Sequence, residues 1–328
     1  MKAEALAPGV ARRHWRAAGI LLLATAASGL GFVFGKASLL MQGPFAPGES
    51  TWFLAAQNMV PRFALGVLLL GALHGAGVLR LTAREWAQAG FMAVCSFAGS
   101  MLQTDGLQYT TASVTAFITQ FYVVLIPLWA ALAHRRRPGW PVFVAGLLVL
   151  AGVAELAQLD WRSFRLGRGE TEVLAASGFF SLLVFGLTWE GWADNRPERA
   201  VAGMFAVETA LFAALALALQ RGPAGIAAPL FSPVWLALIG GVSILGTVGP
   251  FIVMSRWQRF VGATEAGLIY SLSPVFSAMG GLFLPGLLAG VCGIAYANET
   301  ASRALVIGGL LILAANALVQ LRPAPKSA

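Results

Sequence analysis

The chain has 328 residues, of which 58% are hydrophobic and only 11% charged, and its mean hydropathy is +0.76. Soluble domains carry roughly 25% charged residues, so this composition excludes a soluble globular protein. The net charge of +8 would suit a polyanion, but the cations sit in short segments between apolar runs, which argues against a nucleic-acid partner.

Crossing a hydrocarbon core of ~30 Å takes about 20 apolar residues. Ten runs have that character: 17–40, 51–73, 85–104, 109–132, 140–158, 172–193, 200–220, 233–254, 263–284 and 303–321. The first follows Arg12, Arg13, His14, Trp15 and Arg16 and has some features of a signal peptide. Its apolar stretch continues past Lys36 to Leu40, longer than a signal core, so it is expected to stay as a helix. With a cytoplasmic N-terminus, 15 of the 22 Lys and Arg fall on the inner side and 5 on the outer, while Lys36 and Arg62 lie within spans. That bias is the positive-inside signature. The Arg162–Arg168 cluster on the outer side runs against it. Both termini are therefore expected in the cytoplasm of a bacterial inner membrane, with the lipid bilayer and a small molecule as partners. Oligomeric state is not legible. Cys95 and Cys292 lie at different depths, which gives neither a disulfide framework nor a metal motif.

The chain repeats itself. Phe32-Val33-Phe34-Gly35 recurs as Leu183-Val184-Phe185-Gly186, and 112–118 lies over 263–269, both at a shift of 151 residues. Then 146–152 matches 309–315 at a shift of 163. The slip of 12 residues places an insertion at about 285–298. Five spans per half is odd, so the second copy enters the membrane from the opposite side. Inverted repeats around a midplane site are a recurrent transporter plan. The expected fold is all-α, with ten transmembrane helices in two inverted five-helix repeats around a central cavity. The segments are 1–16, a cytoplasmic N-terminal stretch; 17–158, the first repeat; 159–171, a periplasmic connector; 172–321, the second repeat; and 322–328, a cytoplasmic tail. The insertion either forms a partial lid on the outer mouth or lengthens the ninth helix.

Particular motifs then resemble those of a known family. Span one reads Ser28-Gly-Leu-Gly-Phe-Val-Phe-Gly-Lys36, with Leu30 at the place of a usual Trp, and span two carries Pro61-Arg62-Phe63-Ala64. The entry to span four is Gly106-Leu-Gln-Tyr109-Thr-Thr-Ala-Ser113, followed by Ala116-Phe-Ile-Thr-Gln120 and Pro127. Span nine has Ala263-Thr-Glu-Ala-Gly and Ser273-Pro274, and span ten opens on Asn298-Glu299-Thr300. From 17 to 321 the chain resembles the drug/metabolite transporter superfamily, in its ten-helix EamA-type branch. That resemblance implies small-molecule transport, with amino acids the leading cargo and export the leading direction.

Ionisable groups inside spans are the sharpest functional signals, each costing at least ~2.5 kcal/mol at a helix centre. Arg62 sits near the middle of span two, with Asn58 one turn earlier on the same face. It is expected either to hold a substrate carboxylate or to lock a neighbouring helix. Glu208 sits at comparable depth in span seven, and is expected to pair with Arg62 or to take part in proton coupling, or else to snorkel outward. Lys36 shares a face with Thr25, Ser28 and Phe32 and is expected either to line the outer vestibule or, like Glu190 near another span end, to snorkel to the headgroups. Polar stripes run along span three (Ser96, Ser100, Gln103), span four (Ser113, Gln120) and span nine (Tyr270, Ser273, Ser277). Such stripes either pack helices together or line an aqueous path. Gln103, Gln120, Tyr270 and Ser273 join Arg62 and Asn58 as candidate substrate-binding residues. Trp189 and Trp192 read as interface anchors, and Pro127, Pro250 and Pro274 as bends in spans four, eight and nine.

The three histidines sit at span ends, and there is no nucleotide-binding loop and no nucleophile–base set. The sequence therefore indicates no enzyme, cofactor or metal. It indicates a secondary transporter working by alternating access, the alternatives being a facilitative pore and a multidrug-type exporter of amphipathic compounds.

Overall fold

The computed structural model describes residues 8–133, 135, 139–158, 166–187, 189–222, 224–261 and 263–321. Segments 1–7, 159–165 and 322–328 lie outside the described residues, as do Arg162 and Arg165 of the Arg162–Arg168 cluster. The described chain is helical, with no strand among its residues. In order, the helices are α1 (Pro8–Gln42), α2 (Thr51–His74), α3 (Ala83–Tyr109), α4 (Ala112–Thr119), α5 (Phe121–Ala133), α6 (Trp140–Leu156) and α7 (Arg168–Gly186). They continue as α8 (Pro197–Leu219), α9 (Ala224–Leu230), α10 (Pro233–Gly241), α11 (Gly249–Trp257), α12 (Ala263–Tyr270), α13 (Ser273–Cys292) and α14 (Arg303–Gln320). A π-helical stretch, Val242–Val248, joins α10 to α11.

Seven helical stretches among the described residues are long and apolar enough to cross a membrane. The protein is a multi-pass membrane protein. Of the other long helices, α6 has 17 residues, and α3 and α7 carry charged residues within their length.

Helix ends are set by local chemistry. Ser50, Thr111, Ser232 and Ser302 each accept a backbone N–H of the first turn of the helix that follows, satisfying one of the donors a helix start leaves free. Thr82 and Glu85 form a reciprocal capping box at the start of α3. Of the predicted proline bends, Pro127 lies inside α5 without breaking it. The break in span four comes earlier, at Gln120, between α4 and α5. Pro274 follows a break at Ser271–Leu272, and Pro250 opens α11 directly after the π stretch. Proline has no N–H to continue an α ladder, which is why the ladder is remade at that point.

The polarity is that of a protein dissolved in lipid. Leu23, Phe231, Phe283 and Leu310 are exposed, while Asn58, Asp105, Glu208 and Asn316 are fully buried. Small residues bring the helices together. A methyl group on Gly152 of α6 would lie 2.8 Å from the Gly308 carbonyl of α14, and one on Gly308 would lie 2.7 Å from the Gly152 carbonyl. Other principal contacts pair α2 with α8, α3 with α7, and α1 with α13.

The insertion resolves into two parts. Residues 285–292 lengthen α13, which closes on Gly293 in the left-handed conformation, φ 65°, where glycine avoids the Cβ penalty. The chain then folds back along α13 as a strap. Glu299 N–H donates to Gly281 O at 2.8 Å, and Gly286 N–H donates to Asn298 Oδ1 at 2.7 Å.

Candidate functional site

Ser28, Phe32, Gly35 and Leu39 recur at three- and four-residue steps along α1, so they share one face. Asn58, Met59 and Arg62 do the same on α2, and Gln103, Thr104 and Leu107 on α3. With Gly31 and with Gly246 of the π stretch, these faces line a cavity of about 100 Å³. A methyl on Gly31 would sit 2.7 Å from the Gly246 Cα, so the absence of side chains lets α1 and the π stretch meet and close the wall. π-Helical turns recur at functional sites.

Arg62 is half-buried at this wall. Its Nε donates to Thr247 Oγ1 at 2.6 Å and its Nη1 reaches Met59 Sδ at 3.9 Å. Ser243 Oγ donates to the Arg62 carbonyl at 3.3 Å, tying α2 to the π stretch a second time. No acceptor among the described residues takes a hydrogen bond from Nη2, which leaves one edge of the guanidinium for a ligand. Glu208, on α8, is fully buried; no hydrogen bond within 3.5 Å reaches its carboxyl oxygens among the described residues, and Ser96 of α3 is the polar side chain that interacts with it. Arg62 and Glu208 interact electrostatically but form no ion pair within 4.0 Å.

Asn58 belongs to an internal amide chain. Its Nδ2 donates to Ser38 Oγ at 3.0 Å and to Gln42 Oε1 at 3.1 Å. Gln42 Nε2 donates to Gln57 Oε1 at 2.7 Å, and Gln57 Nε2 to the Ile226 carbonyl at 2.8 Å. Both Asn58 donors are thus spent on the protein, and the residue holds α1 against α2 beneath the cavity. Gln103 lines the cavity while donating to Thr119 Oγ1 at 2.8 Å.

The remaining candidates lie elsewhere. Gln120 is buried at the α4–α5 break, where its Nε2 reaches the Tyr270 carbonyl at 3.5 Å and its Oε1 has no partner among the described residues. Tyr270 turns its hydroxyl toward Gln258 Oε1 at 3.2 Å and packs with Trp257 and Met254. Ser273 lies against Gly29 of α1. The structure therefore brings Arg62, Asn58 and Gln103 together. It places Gln120, Tyr270, Ser273 and Glu208 outside the cavity wall. Gln120, Tyr270 and Ser273 all sit at the pair of helix breaks, α4–α5 and α12–α13.

Two expectations require correction. Lys36 does not snorkel to the headgroups: its Nζ donates to the carbonyls of Leu107, at 3.0 Å, and of Thr110. These carbonyls belong to the last turn of α3, where a cation is favoured. Glu299 accepts from the N–H groups of Ala112, at 3.0 Å, and Ser113, at 3.4 Å, and so caps the start of α4. The two charges bracket the turn between α3 and α4. The strap carrying Glu299 is thus tied into the bundle and does not form a free lid. Arg168 also gains an explanation for its place outside the inner-side bias. It pairs with the fully buried Asp105, bonds Glu172 Oε1 at 2.8 Å, and stacks its guanidinium 4.4 Å from the Tyr109 ring.

Sequence reasoning missed Thr247, Gly246 and Met59. Thr247 and Gly246 stand in an apolar run with no distinguishing charge, and only the Gly-Thr-Val-Gly-Pro composition around a proline hinted at irregular backbone. Met59 lies between Asn58 and Arg62 on a single turn and gave no separate signal.

The fold and the cavity define a multi-pass helical membrane protein with a polar chamber inside the bundle. Residues 15–157 match the EamA-like transporter family. No curated protein matches the chain. One crystal structure of a protein aligns with 90% of this chain and 97% of its own, at 20% identity and a TM-score of 0.51. That likeness extends the fold past residue 157, the end of the family match.

Proposed function

We propose that the protein is a secondary transporter that moves a small polar metabolite by alternating access. On this reading 17–158 and 172–321 are inverted five-helix repeats, and amino acids or related carboxylate-bearing compounds are the cargo. The proposed setting is a bacterial inner membrane with both termini in the cytoplasm, and export or exchange is the proposed direction.

The observation that carries the reading is the polar cavity with the unspent Nη2 edge of Arg62 on its wall. A guanidinium holds a planar anion through paired hydrogen bonds, and a substrate carboxylate supplies the charge that the site lacks. Three coincidences support the duplication. Helix α4 (Ala112–Thr119) maps residue for residue onto α12 (Ala263–Tyr270) at the 151 shift, and each is followed by a break. Helix α2 starts at Thr51 and α8 at Pro197, an offset of 146, so Arg62 and Glu208 share a place counted from their helix starts but not in the 151 register. Helix α6 starts at Trp140 and α14 at Arg303, at the 163 shift. The contacts follow the same symmetry: α2 meets α8 and α6 meets α14, each helix touching its own counterpart. Two similar gates built from one pattern, placed in opposite senses, are what alternating access requires.

Counterflow in proteoliposomes tests the proposal. Vesicles preloaded with an unlabelled amino-acid mixture are expected to accumulate labelled amino acid transiently and saturably. Linear, unsaturable flux would indicate a pore. Accumulation of amphipathic dyes with no response to amino acids would indicate a multidrug-type exporter, for which Phe32, Met59 and Leu107 provide the apolar side of the cavity.

A further inference from the structure

We propose that the end of the bundle where α1 meets α11 carries a binding site for the phosphate group of an anionic phospholipid. Arg13 and Arg16, three residues apart on the first turns of α1, share a face. Together with Arg256 in the last turn of α11, and with Trp257 and Phe260, they surround a cavity of about 270 Å³ distinct from the chamber at Arg62. All three arginines are exposed, and none has a carboxylate within ion-pair distance among the described residues. Glu265 on α12 is engaged by His14 Nε2 at 3.2 Å. The Arg16 guanidinium lies 5.7 Å from the Trp257 ring centroid, which holds it over the cavity by a cation–π contact.

Three like charges opening on one cavity repel each other, and an anion between them relieves that repulsion with charge-assisted hydrogen bonds. The floor between them is apolar: Trp257 and Phe260 line it, and Trp257 packs on a cluster in which Ala17, Leu21 and Ala266 are buried. A cationic rim over an apolar floor, at the level where α1 enters its hydrophobic run, matches a phosphodiester with a glycerol backbone and acyl chains below it. A soluble phosphate offers the rim its charge but has no use for the floor. Helix α1 belongs to the first half of the chain and α11 to the second, so a bound headgroup bridges the two at this end. Only the choice of leaflet, the cytoplasmic one, rests on the orientation proposed above.

Native mass spectrometry of the full-length protein, titrated with phosphatidylglycerol or phosphatidylcholine, measures the site directly. Phosphatidylglycerol is expected to be retained at lower concentration than phosphatidylcholine. Arg13→Gln, Arg16→Gln and Arg256→Gln are each expected to weaken that retention about fivefold, the factor corresponding to about 1 kcal/mol per basic residue at an anionic surface. The three Arg→Lys variants keep most of it, and Arg84→Gln, an exposed cation outside the cavity, leaves it unchanged. Equal retention of the two lipids, or a loss with Arg84→Gln as large as with Arg256→Gln, overturns the proposal. In parallel thermal unfolding, stabilisation by inorganic phosphate or glycerol 3-phosphate equal to that by phosphatidylglycerol overturns the lipid assignment in favour of a soluble anion.

Discussion

Arg62 and Glu208 each stand eleven residues past the first residue of their helix, α2 from Thr51 and α8 from Pro197. They interact electrostatically across the α2–α8 contact without hydrogen-bonded pairing. A fully buried carboxyl group is costly, and Ser96 and the nearby cation offset part of that cost. The pair is therefore expected to be coupled. A double-mutant cycle on Arg62→Gln and Glu208→Gln, read by thermal unfolding in detergent, is expected to give a non-additive term of about 0.5–3 kcal/mol. Strict additivity would show that the two charges do not stabilise one another.

Arg62→Lys keeps a positive charge but gives up the planar fork that bonds Thr247 and faces the cavity. It is expected to bind a carboxylate-bearing substrate about tenfold to a hundredfold more weakly, the range for a lost charged hydrogen bond. Isothermal titration against the substrate identified by counterflow measures it. Unchanged affinity would place the guanidinium in a structural role toward Thr247 alone.

Glu299→Ala removes the carboxylate that caps α4 and leaves the Ala112 and Ser113 N–H groups without it. The expected loss of stability is about 0.5–2 kcal/mol, typical of a removed N-cap, with Lys36 losing its neighbouring anion as well. Denaturation in mixed micelles gives the value. A shift within error would mean that water takes over the capping.

Gly152→Ala places a methyl within 2.8 Å of the Gly308 carbonyl, and α6 and α14 have to separate to admit it. A cost of about 1–3 kcal/mol is expected, as for overpacked cores, measurable as a lower midpoint of thermal unfolding. Gly146→Ala, on the same helix with open space around it, is the matched control and is expected to be neutral or slightly stabilising.

The sequence conveyed the membrane class, the helical content and the mid-helix charges, because each follows from composition and run length. Arg62, Asn58 and Gln103 were legible as cavity residues for a related reason: they are polar groups on one face of an apolar helix. Gln120, Tyr270 and Ser273 looked equivalent by the same periodicity. Periodicity assumes an unbroken helix, and α4–α5 and α12–α13 break beside these residues. Lys36 and Glu299 were seen but their roles were not, since a cap supplied from 187 residues away leaves no local trace. The π stretch holding Thr247 was invisible in an apolar run whose composition also fits an ordinary helix.

The strap between α13 and α14 has a consequence for biosynthesis. The side chain that finishes the start of α4 leaves the ribosome only after most of the remaining chain has been made. Until then the Ala112 and Ser113 amides lack the carboxylate that caps them, and that end of the early bundle lacks one of its ties. A polypeptide released before residue 299 would thus lack the tie that joins the strap to the start of α4.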